Sequence, residues 1–204
     1  MLRAAILALC CAILAAQDTP TPAPGTFLVA KRALGDPNFI QTVILVVQYS
    51  KESAMGLVIN DPSDIPMAKL FSGIKGSKDS TGVLYFGGPV QRTGAQALIR
   101  AKTKPDDARH VFDDVYVTGS SALLEKTIES GAKPDTFRIY LGYSGWGPGQ
   151  LDREIAAGAW HVVKGDPASV FDPNPASIWE RMIRRAQVRY ARSIPRNFEF
   201  RPPM

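Results

Sequence analysis

The stretch Thr42-Val-Ile-Leu-Val-Val-Gln-Tyr-Ser-Lys-Glu-Ser-Ala-Met-Gly-Leu-Val-Ile-Asn60 decides the fold class of this chain. Its first eight residues form an apolar run rich in β-branched side chains, which is typical of a strand buried on both faces. Residues 50–53 predict a turn, and Met55–Ile59 returns as the antiparallel partner. The sequence therefore predicts a buried β-hairpin.

Shorter apolar runs bounded by turn residues predict the rest of the sheet. These strands are Phe27–Ala30, Val83–Phe86, Ala95–Leu98, His110–Phe112, Val115–Thr118, Phe137–Leu141 and Trp160–Val163. Helices are predicted from Ser120 or Ser121 to Glu129, from Gln150 to Ala157, and from Asn174 to about Arg192. The helices interrupt the strands irregularly, without a βαβ alternation, so we predict a single α+β domain with a mixed sheet.

The charge of the chain is unevenly distributed. The formal net charge is +5, from 24 Lys and Arg against 19 Asp and Glu. Residues 181–204 contain seven Arg and one Glu, and Arg3 is the only charged residue among the first sixteen. Residues 17–180 therefore carry 16 basic and 18 acidic side chains, a net of −2. The basic balance belongs to the C-terminal segment and is no argument that the body binds nucleic acid.

The N-terminal residues have the pattern of an export signal. Arg3 is followed by thirteen residues without charge, from Ala4 to Ala16. That stretch is shorter than a membrane-spanning helix requires, and Leu14-Ala-Ala16 suits cleavage by a signal peptidase. We expect residues 1–16 to be a signal peptide or a short anchor, and the protein to be exported to the periplasm or secreted. The alternative is an unused leader and a cytosolic protein.

Both cysteines, Cys10 and Cys11, lie in this leader. The mature chain would therefore have no disulfide, no thiolate metal site and no cysteine nucleophile. Residues 17–25 predict a stiff Pro-rich linker. The domain is expected over residues 26–190, followed by an Arg- and Pro-rich tail over residues 191–204.

Four stretches stand in an order and spacing that match a known family. They are Asp36–Phe39 with Thr42–Leu45, Gly56–Asn60, Leu84–Gln91, and Leu141–Leu151 leading to Gly158–Trp160. Through them the chain resembles the bacterial AlgH/YqgE family over residues 25 to 187, nearly the whole domain. The glycine-aromatic motif Gly-Tyr-Ser-Gly-Trp-Gly-Pro-Gly, from Gly142 to Gly149, is long and unusual, which makes the match specific.

The resemblance implies a single α+β domain whose mixed or antiparallel sheet curls toward an incomplete barrel. It supplies no accepted catalytic residue, metal or cofactor. The family's name records a link to regulation of exopolysaccharide synthesis, which is a phenotype and not a mechanism. Members usually begin near Phe27 and are expected in the cytosol. Their Asn-Arg-Pro is Asn60-Asp61-Pro62 here, and the arginines beyond Tyr190 are an addition.

The stretch from Gly142 to Trp146 invites comparison with the nucleophile elbow of serine hydrolases. That elbow requires Gly-x-Ser-x-Gly, and Trp146 occupies the last position here. The only histidine after Ser144 is His161, inside an apolar strand, while His110 lies upstream. A hydrolase using Ser144 is therefore the least favoured hypothesis.

The glycines from Gly145 to Gly149 could instead form an anion-binding nest. The loop has no Lys or Arg, and Asp152 and Glu154 in the following turn would repel a phosphate. The motif is more typical of a tight strand-to-helix crossing over which Tyr143 and Trp146 pack.

Glycines at two strand ends and asparagines in two turns could meet on one rim of the sheet. The candidate ligand-binding rim comprises Asn38, Asn60, Gly87, Gly88, Tyr143, Trp146 and Gly147. Backbone donors, two amides and an aromatic wall would suit a small polar ligand or a partner's backbone better than bond breaking. The alternative is that these residues only make turns.

The sequence does not indicate a cofactor or a metal. Two histidines 51 positions apart and no mature cysteine leave only carboxylates. Asp106-Asp107 and Asp113-Asp114 are typical of solvated loops.

The last predicted helix is amphipathic. Its apolar face carries Trp179, Met182, Ile183, Ala186 and Tyr190. The opposite face and the tail carry Arg181, Arg185, Arg189, Arg192 and Arg196, which we expect to stay in solvent. These arginines either form a solvated face or contact an anionic surface such as phospholipid or an acidic polymer. Nucleic acid is the least favoured partner.

These observations favour a non-enzymatic binding module with an unknown protein or small polar ligand, and with an indirect regulatory role. Two hypotheses stay open beside it. One is a cytosolic regulator of transcription or signalling, as the family name suggests, and the other is the hydrolase using Ser144.

Overall fold

Ten strands form one curled sheet in the computed structural model of the protein, which describes residues 20–77 and 81–193, without the side chains after residue 188. The bounds are β1 Thr26–Ala30, β2 Val43–Tyr49, β3 Ala54–Val58, β4 Pro62–Pro66, β5 Val83–Phe86, β6 Val90–Arg100, β7 Arg109–Phe112, β8 Val115–Thr118, β9 Phe137–Trp146 and β10 Trp160–Lys164. The predicted leader, the start of the linker and all of the tail after Ser193 lie outside the described residues.

The predicted hairpin is confirmed. Strands β2 and β3 pair antiparallel, with Ile44 opposite Val58 and Tyr49 opposite Ala54. Residues 43–47 are at most 1% exposed, as expected for a strand covered on both faces.

The order of hydrogen-bonded strands is β10-β1-β2-β3-β9-β6-β8-β7, and β5 lies between β4 and β9. All pairs are antiparallel except β5 with β9. The α+β class with a curled, incompletely closed sheet is thereby confirmed.

Helices flank the sheet at few points. They are α1 Met67–Leu70, α2 Ser121–Glu129, α3 Gln150–Ala156, α4 Pro167–Val170 and α5 Ile178–Ser193, the last after a 3₁₀ turn at Pro175–Ser177. The Ser120 hydroxyl caps α2 by accepting from the Leu123 N–H at 3.4 Å, and Gly131 ends it with φ +71°. The sequence did not predict β4, α1 or α4; β4 begins and ends with proline, which is untypical of a strand.

Helix α5 fills the concave side of the sheet. Its predicted apolar residues Trp179, Met182, Ile183 and Ala186 are each at most 7% exposed and pack against inward-facing residues of the strands. The Trp179 indole N–H also donates to the Ala30 carbonyl at 2.8 Å. The apolar face is confirmed as far as the described side chains extend. The interior of the curled sheet is thus a packed core and not an open channel.

Two smaller clusters cover the convex side. One places Trp146, Leu151 and Trp160 against β1, β2 and β3 beneath α3. The other places Leu124 and Ile128 of α2 against β5, β6 and β9. The sheet is therefore sandwiched locally between α5 on one side and α2 or α3 on the other.

Strand β9 is twice as long as predicted. The predicted strand ended at Leu141 because Gly142 follows, but β9 continues to Trp146 and pairs with β3 over its last three residues. Gly142 has φ +69° and redirects the strand without ending it. Of the loop expected from Gly145 to Gly149, the first two residues are strand, and residues 147–149 form the turn that leads into α3.

Candidate functional site

The chain between β5 and β6 crosses over β9. Strand β5 reaches β9 on the edge that β3 also uses, and Val90 then pairs with Tyr143 on the opposite edge. The Gly87 N–H donates to the Leu141 carbonyl at 2.8 Å, which fixes the crossing point.

Three glycines make this crossing possible. A Cβ at Gly88 would lie 2.4 Å from the Tyr143 carbonyl carbon, and one at Gly142 would lie 2.6 Å from the Gly88 carbonyl oxygen. A Cβ at Gly87 would lie 2.4 Å from the Gly142 oxygen. Backbone meets backbone here, so no larger residue fits. This contact accounts for the glycines of two of the sequence motifs.

Ser144 lies inside this crossing and is not placed as a nucleophile. It is 0% exposed, and its hydroxyl donates to the Gly87 carbonyl at 3.3 Å. In the strand order, β10 with His161 is four strands away and β7 with His110 is three strands away. A serine without a base and without access to substrate cannot act by the hydrolase mechanism.

Trp146 is fixed by a carboxylate. Its indole N–H donates to Glu154 Oε2 at 2.9 Å, and the Trp160 indole N–H donates to the same oxygen at 2.9 Å. Gln150 donates to Oε1 of this carboxylate, and it also accepts the Gly147 N–H at 3.2 Å. The anion nest, which the sequence analysis disfavoured, would have one of its N–H groups occupied by a side chain and a carboxylate beside it.

A cavity of about 400 Å³ opens at the end of the curled sheet where β2, β3 and β9 meet. Gln48, Met55 and Gly145 are cross-strand neighbours in one row on the concave face. Gly145 contributes no side chain to this row, and a Cβ there would lie 3.1 Å from the Tyr143 ring and 3.7 Å from the Val90 side chain. We call this space the mouth cavity. It is lined by Gln48, Ser53, Ala54, Met55, Val90, Tyr143, Gly145 and Trp146.

The mouth cavity is uncharged but contains hydrogen-bonding groups. Gln48 Oε1 accepts from Arg109 at 3.2 Å, which leaves its amide N–H groups unused. Within the described part of the chain, the hydroxyls of Ser53 and Tyr143 also make no hydrogen bond to the protein. Apolar walls with a few unpaired polar groups are the usual make-up of a ligand site.

The structure does not assemble the predicted rim as one surface. Tyr143 and Trp146 line the mouth cavity, and Gly147 follows directly. Asn60 lies beyond the opposite end of β3, since Ala54 and not Val58 pairs with Trp146. The length of β3 therefore separates Asn60 from Tyr143, Trp146 and Gly147.

Both asparagines have structural partners. Asn60 accepts from the Val43 N–H at 2.7 Å and donates to the Gln41 carbonyl at 2.9 Å, which joins the ends of β2 and β3. Asn38 donates from its side chain to Asp36 Oδ1 at 3.0 Å within an exposed turn. Gly87 and Gly88 serve the crossing. For these four residues the turn or packing interpretation fits the contacts, and ligand binding by the predicted rim stays a prediction.

The arginine face of α5 is not free of partners. Arg185 pairs with Asp166 at 3.0 Å, and Arg181 pairs with Asp172, whose side chain is 15% exposed. These two pairs attach α5 to the body of the protein, while the Arg181 and Arg185 side chains stay 40% and 41% exposed. The side chains of Arg189 and Arg192, and all of Arg196, lie outside the described residues. Contact with an anionic surface stays a prediction.

A buried cation on β9 escaped the sequence analysis. Arg138 is 3% exposed and donates to the carbonyls of Pro134, Val170 and Asp172 at 3.2, 3.1 and 2.5 Å. Its guanidinium also lies 4.9 Å from the centre of the Tyr85 ring. Three backbone acceptors and an aromatic face replace the missing counter-ion, so Arg138 ties the segment after α4 to β9.

Burial and neighbouring charges shift several pKa values. Burial raises the pKa of Tyr140 well above its ordinary value, against the opposing charge of Arg138. Burial also raises the pKa of Asp61, which the charge of Arg92 partly offsets. The hydrogen bond to Asp152 raises the pKa of Tyr49. None of these groups lines the mouth cavity, so none supplies a proton donor or base there.

Other features of the described residues point to no further site. A second cavity of about 400 Å³ lies between α2 and residues 104–107, where exposed Lys and Asp side chains of both signs line it. Residues 20–77 and 81–193 contain no group of three His, Cys, Asp or Glu side chains that could hold a metal. Within the same ranges, no helix has the length and apolar character needed to cross a membrane.

The fold and site define a class: a single α+β domain whose curled sheet is filled by a C-terminal helix and which has an uncharged cavity at its mouth. A family model described as AlgH-like matches residues 27–191, so this chain belongs to the AlgH-like family. A relative from Chromobacterium violaceum, called a UPF0301 protein, is 39% identical over 150 residues, covering 72% of this chain and 80% of the relative. Another UPF0301 protein, from Streptomyces avermitilis, is 36% identical over 164 residues, covering 79% and 85%.

Solved structures agree on the fold. The solution structure of the AlgH protein from Pseudomonas aeruginosa has a TM-score of 0.65 and 32% identity, over 85% of this chain and 92% of that one. A crystal structure of a protein from Corynebacterium diphtheriae has a TM-score of 0.69 and 24% identity, over 83% and 90%. At that identity the second likeness concerns the fold alone.

Sequence reasoning missed most of the cavity. Gln48, Met55 and Val90 come from three strands that only the sheet register brings together. Gly145 lay within the singled-out motif, but its importance depends on its place in a cross-strand row. Met55 offers a weak signal, because its unbranched, flexible side chain adapts to irregular spaces.

Proposed function

We propose that this protein is a non-enzymatic binding protein whose ligand occupies the mouth cavity. The observation that carries the proposal is the cavity of about 400 Å³ along the row of Gln48, Met55 and Gly145, in which Gly145 contributes no side chain. The cavity is also lined by Tyr143, whose hydroxyl has no partner among the described residues.

Chemistry also favours binding over catalysis at this place. The lining residues contain no carboxylate, histidine, lysine or cysteine. The groups that remain are suited to hydrogen-bond and pack against a ligand. An indirect regulatory role would then act through occupancy of the site.

A cavity-filling variant tests the proposal. Gly145→Leu would place a side chain in the cavity, and the nearest atom to a Cβ there is an edge carbon of the Tyr143 ring at 3.1 Å, which can shift. Small neutral aromatics, namely 4-methylphenol, indole and benzamide, serve as probes for the full chain. At least one should raise the melting temperature of the wild type and of Gly145→Ala but not of Gly145→Leu.

A matched control is Lys126→Ala at the second cavity. It should respond to the probes as the wild type does. If Gly145→Leu responds to the probes as the wild type does, the mouth cavity is not the ligand site.

We also propose that the protein is exported, because residues 1–16 have the pattern of a signal peptide. N-terminal sequencing of the exported fraction should begin at Gln17. A start at Met1 or Leu2 in the cytosolic fraction would favour the alternative of a cytosolic regulator.

A further inference from the structure

We propose that the ligand of the mouth cavity is an extended peptide segment. Its backbone pairs with Gly145, and one uncharged, bulky apolar side chain enters the cavity. The inference rests on the proposed function and names the class of ligand for the same site.

The hydrogen-bonding directions in β3 show where the backbone of Gly145 points. The Ile59 N–H donates to the Val43 carbonyl, so the backbone N–H and C=O groups of residues 55, 57 and 59 point toward β2. The Val58 N–H donates to the Gly87 carbonyl on the opposite edge of β3. The backbone groups of residues 54, 56 and 58 therefore point to the edge along which β9 pairs. Backbone groups of successive strand residues alternate in this way between the two edges.

The alternation carries over to β9. Ser144 and Trp146 lie opposite Gly56 and Ala54, so their N–H and C=O groups bond to β3. The N–H and C=O of Gly145 therefore point to the other edge. On that edge β6 pairs at Val90 with Tyr143 and extends no further, because the chain before Val90 crosses over β9.

Gly145 is consequently an open position on a sheet edge. Within the described residues its N–H and C=O have no backbone partner, and the residue is exposed. One donor and one acceptor that point the same way are the complement of one residue of an extended peptide. Such pairing adds a strand in line with β6.

The cavity determines which side chain fits. A residue paired with Gly145 has its side chain on the same face as the missing side chain of Gly145, which is the cavity side. Met55, Val90 and the Tyr143 ring provide apolar contact, and the lining residues carry no charge. A cationic side chain would lose its hydration there without gaining a counter-ion, since the charged group beside the lining is the Arg109 guanidinium bonded to Gln48. An aromatic or large aliphatic side chain is therefore favoured.

The test uses the full chain and the blocked tripeptide acetyl-Ala-Phe-Ala-amide, with affinity measured by titration calorimetry. Two analogues carry one N-methyl group, either on Phe or on the Ala that follows it. Methylation of Phe should weaken binding about tenfold, since it removes a donor to Gly145 and crowds the edge. Methylation of Ala should change affinity less than about twofold, because that N–H points away from the sheet.

The outcomes separate this inference from the proposed function. Three results would overturn the peptide inference. The two methylations could have equal effects, binding could tighten after Phe is replaced by Lys, or the affinity for 4-methylphenol could equal that for the tripeptide. The last result would leave the cavity as a ligand site. Absence of binding by both the tripeptide and 4-methylphenol would overturn both proposals. Gly145→Leu should abolish binding of either probe.

Discussion

Trp146 donates its indole N–H to Glu154 at 2.9 Å, and through that carboxylate the end of β9 is joined to α3. Trp160, at the start of β10, donates to the same oxygen, and the two indole rings meet edge to face at 6.4 Å. One side chain thus fixes two strands that are not neighbours in the sheet. It holds in place the strand end on which the mouth cavity is built.

Glu154→Ala should lower the free energy of unfolding by about 2–3 kcal/mol, because it leaves two buried indole N–H groups without an acceptor. Glu154→Gln should lose less, since an amide oxygen still accepts. Denaturant unfolding followed by tryptophan fluorescence measures both. Glu125→Ala, on the exposed side of α2, is the control and should change stability by less than about 0.5 kcal/mol. An alanine variant at position 154 as stable as that control would contradict the assigned role.

Gly142→Ala should destabilise the protein by at least about 2 kcal/mol. The residue has φ +69°, and a Cβ would lie 2.6 Å from the Gly88 oxygen and 2.8 Å from the Val90 oxygen. Gly35→Ala is the matched control, because a Cβ there has no heavy atom within 4 Å. Thermal unfolding of the two variants compares them directly, and similar melting temperatures would speak against the crossing.

Acidification should weaken the fold through His161. Burial lowers the pKa of His161 below its ordinary value of 6.5, and the charge of Lys31 acts in the same direction. The unfolded state then binds more protons below pH 6.5, so stability decreases as the pH falls from 6.5 toward the folded-state pKa and is constant above. His161→Gln should remove this part of the pH dependence in denaturant unfolding. An NMR titration midpoint at or above 6.5 would refute the prediction.

The C-terminal arginines should act through the tail and not through the paired residues of α5. Vesicles of phosphatidylglycerol should bind the full chain, less so at higher salt, and phosphatidylcholine vesicles should not. Deletion of residues 191–204 should reduce this binding severalfold. Arg185→Gln should have little effect, because that guanidinium is already paired with Asp166. Unchanged vesicle binding after the deletion would show that residues 191–204 do not contact the anionic surface.

Local patterns sufficed for much of the fold. The β-branched run before Tyr49 and the turn after it fixed the hairpin, and Ser120 with Gly131 fixed both ends of α2. The glycine at position 142 misled because glycine usually marks a strand end, whereas here it lets two backbones touch. Close approach of distant segments leaves no periodic signal in a sequence.

The candidate site was predictable only in part, for a related reason. Tyr143 and Trp146 stood out by their motif, and both line the cavity. Asn60 and Trp146 looked equivalent as residues at strand ends, but the register of β3 with β9 puts them at opposite ends. Likewise, the pairing of Arg181 with Asp172 depends on how α5 docks, which the helical pattern alone does not determine.

An NMR titration of the ¹⁵N-labelled full chain with acetyl-Ala-Phe-Ala-amide shows whether the mouth cavity binds a ligand at Gly145. We expect the Gly145 amide to shift most and to exchange its hydrogen more slowly, with smaller shifts at Met55 and Tyr143. An unchanged Gly145 amide, or largest shifts at Lys126 and Thr127 beside the second cavity, would contradict binding at Gly145.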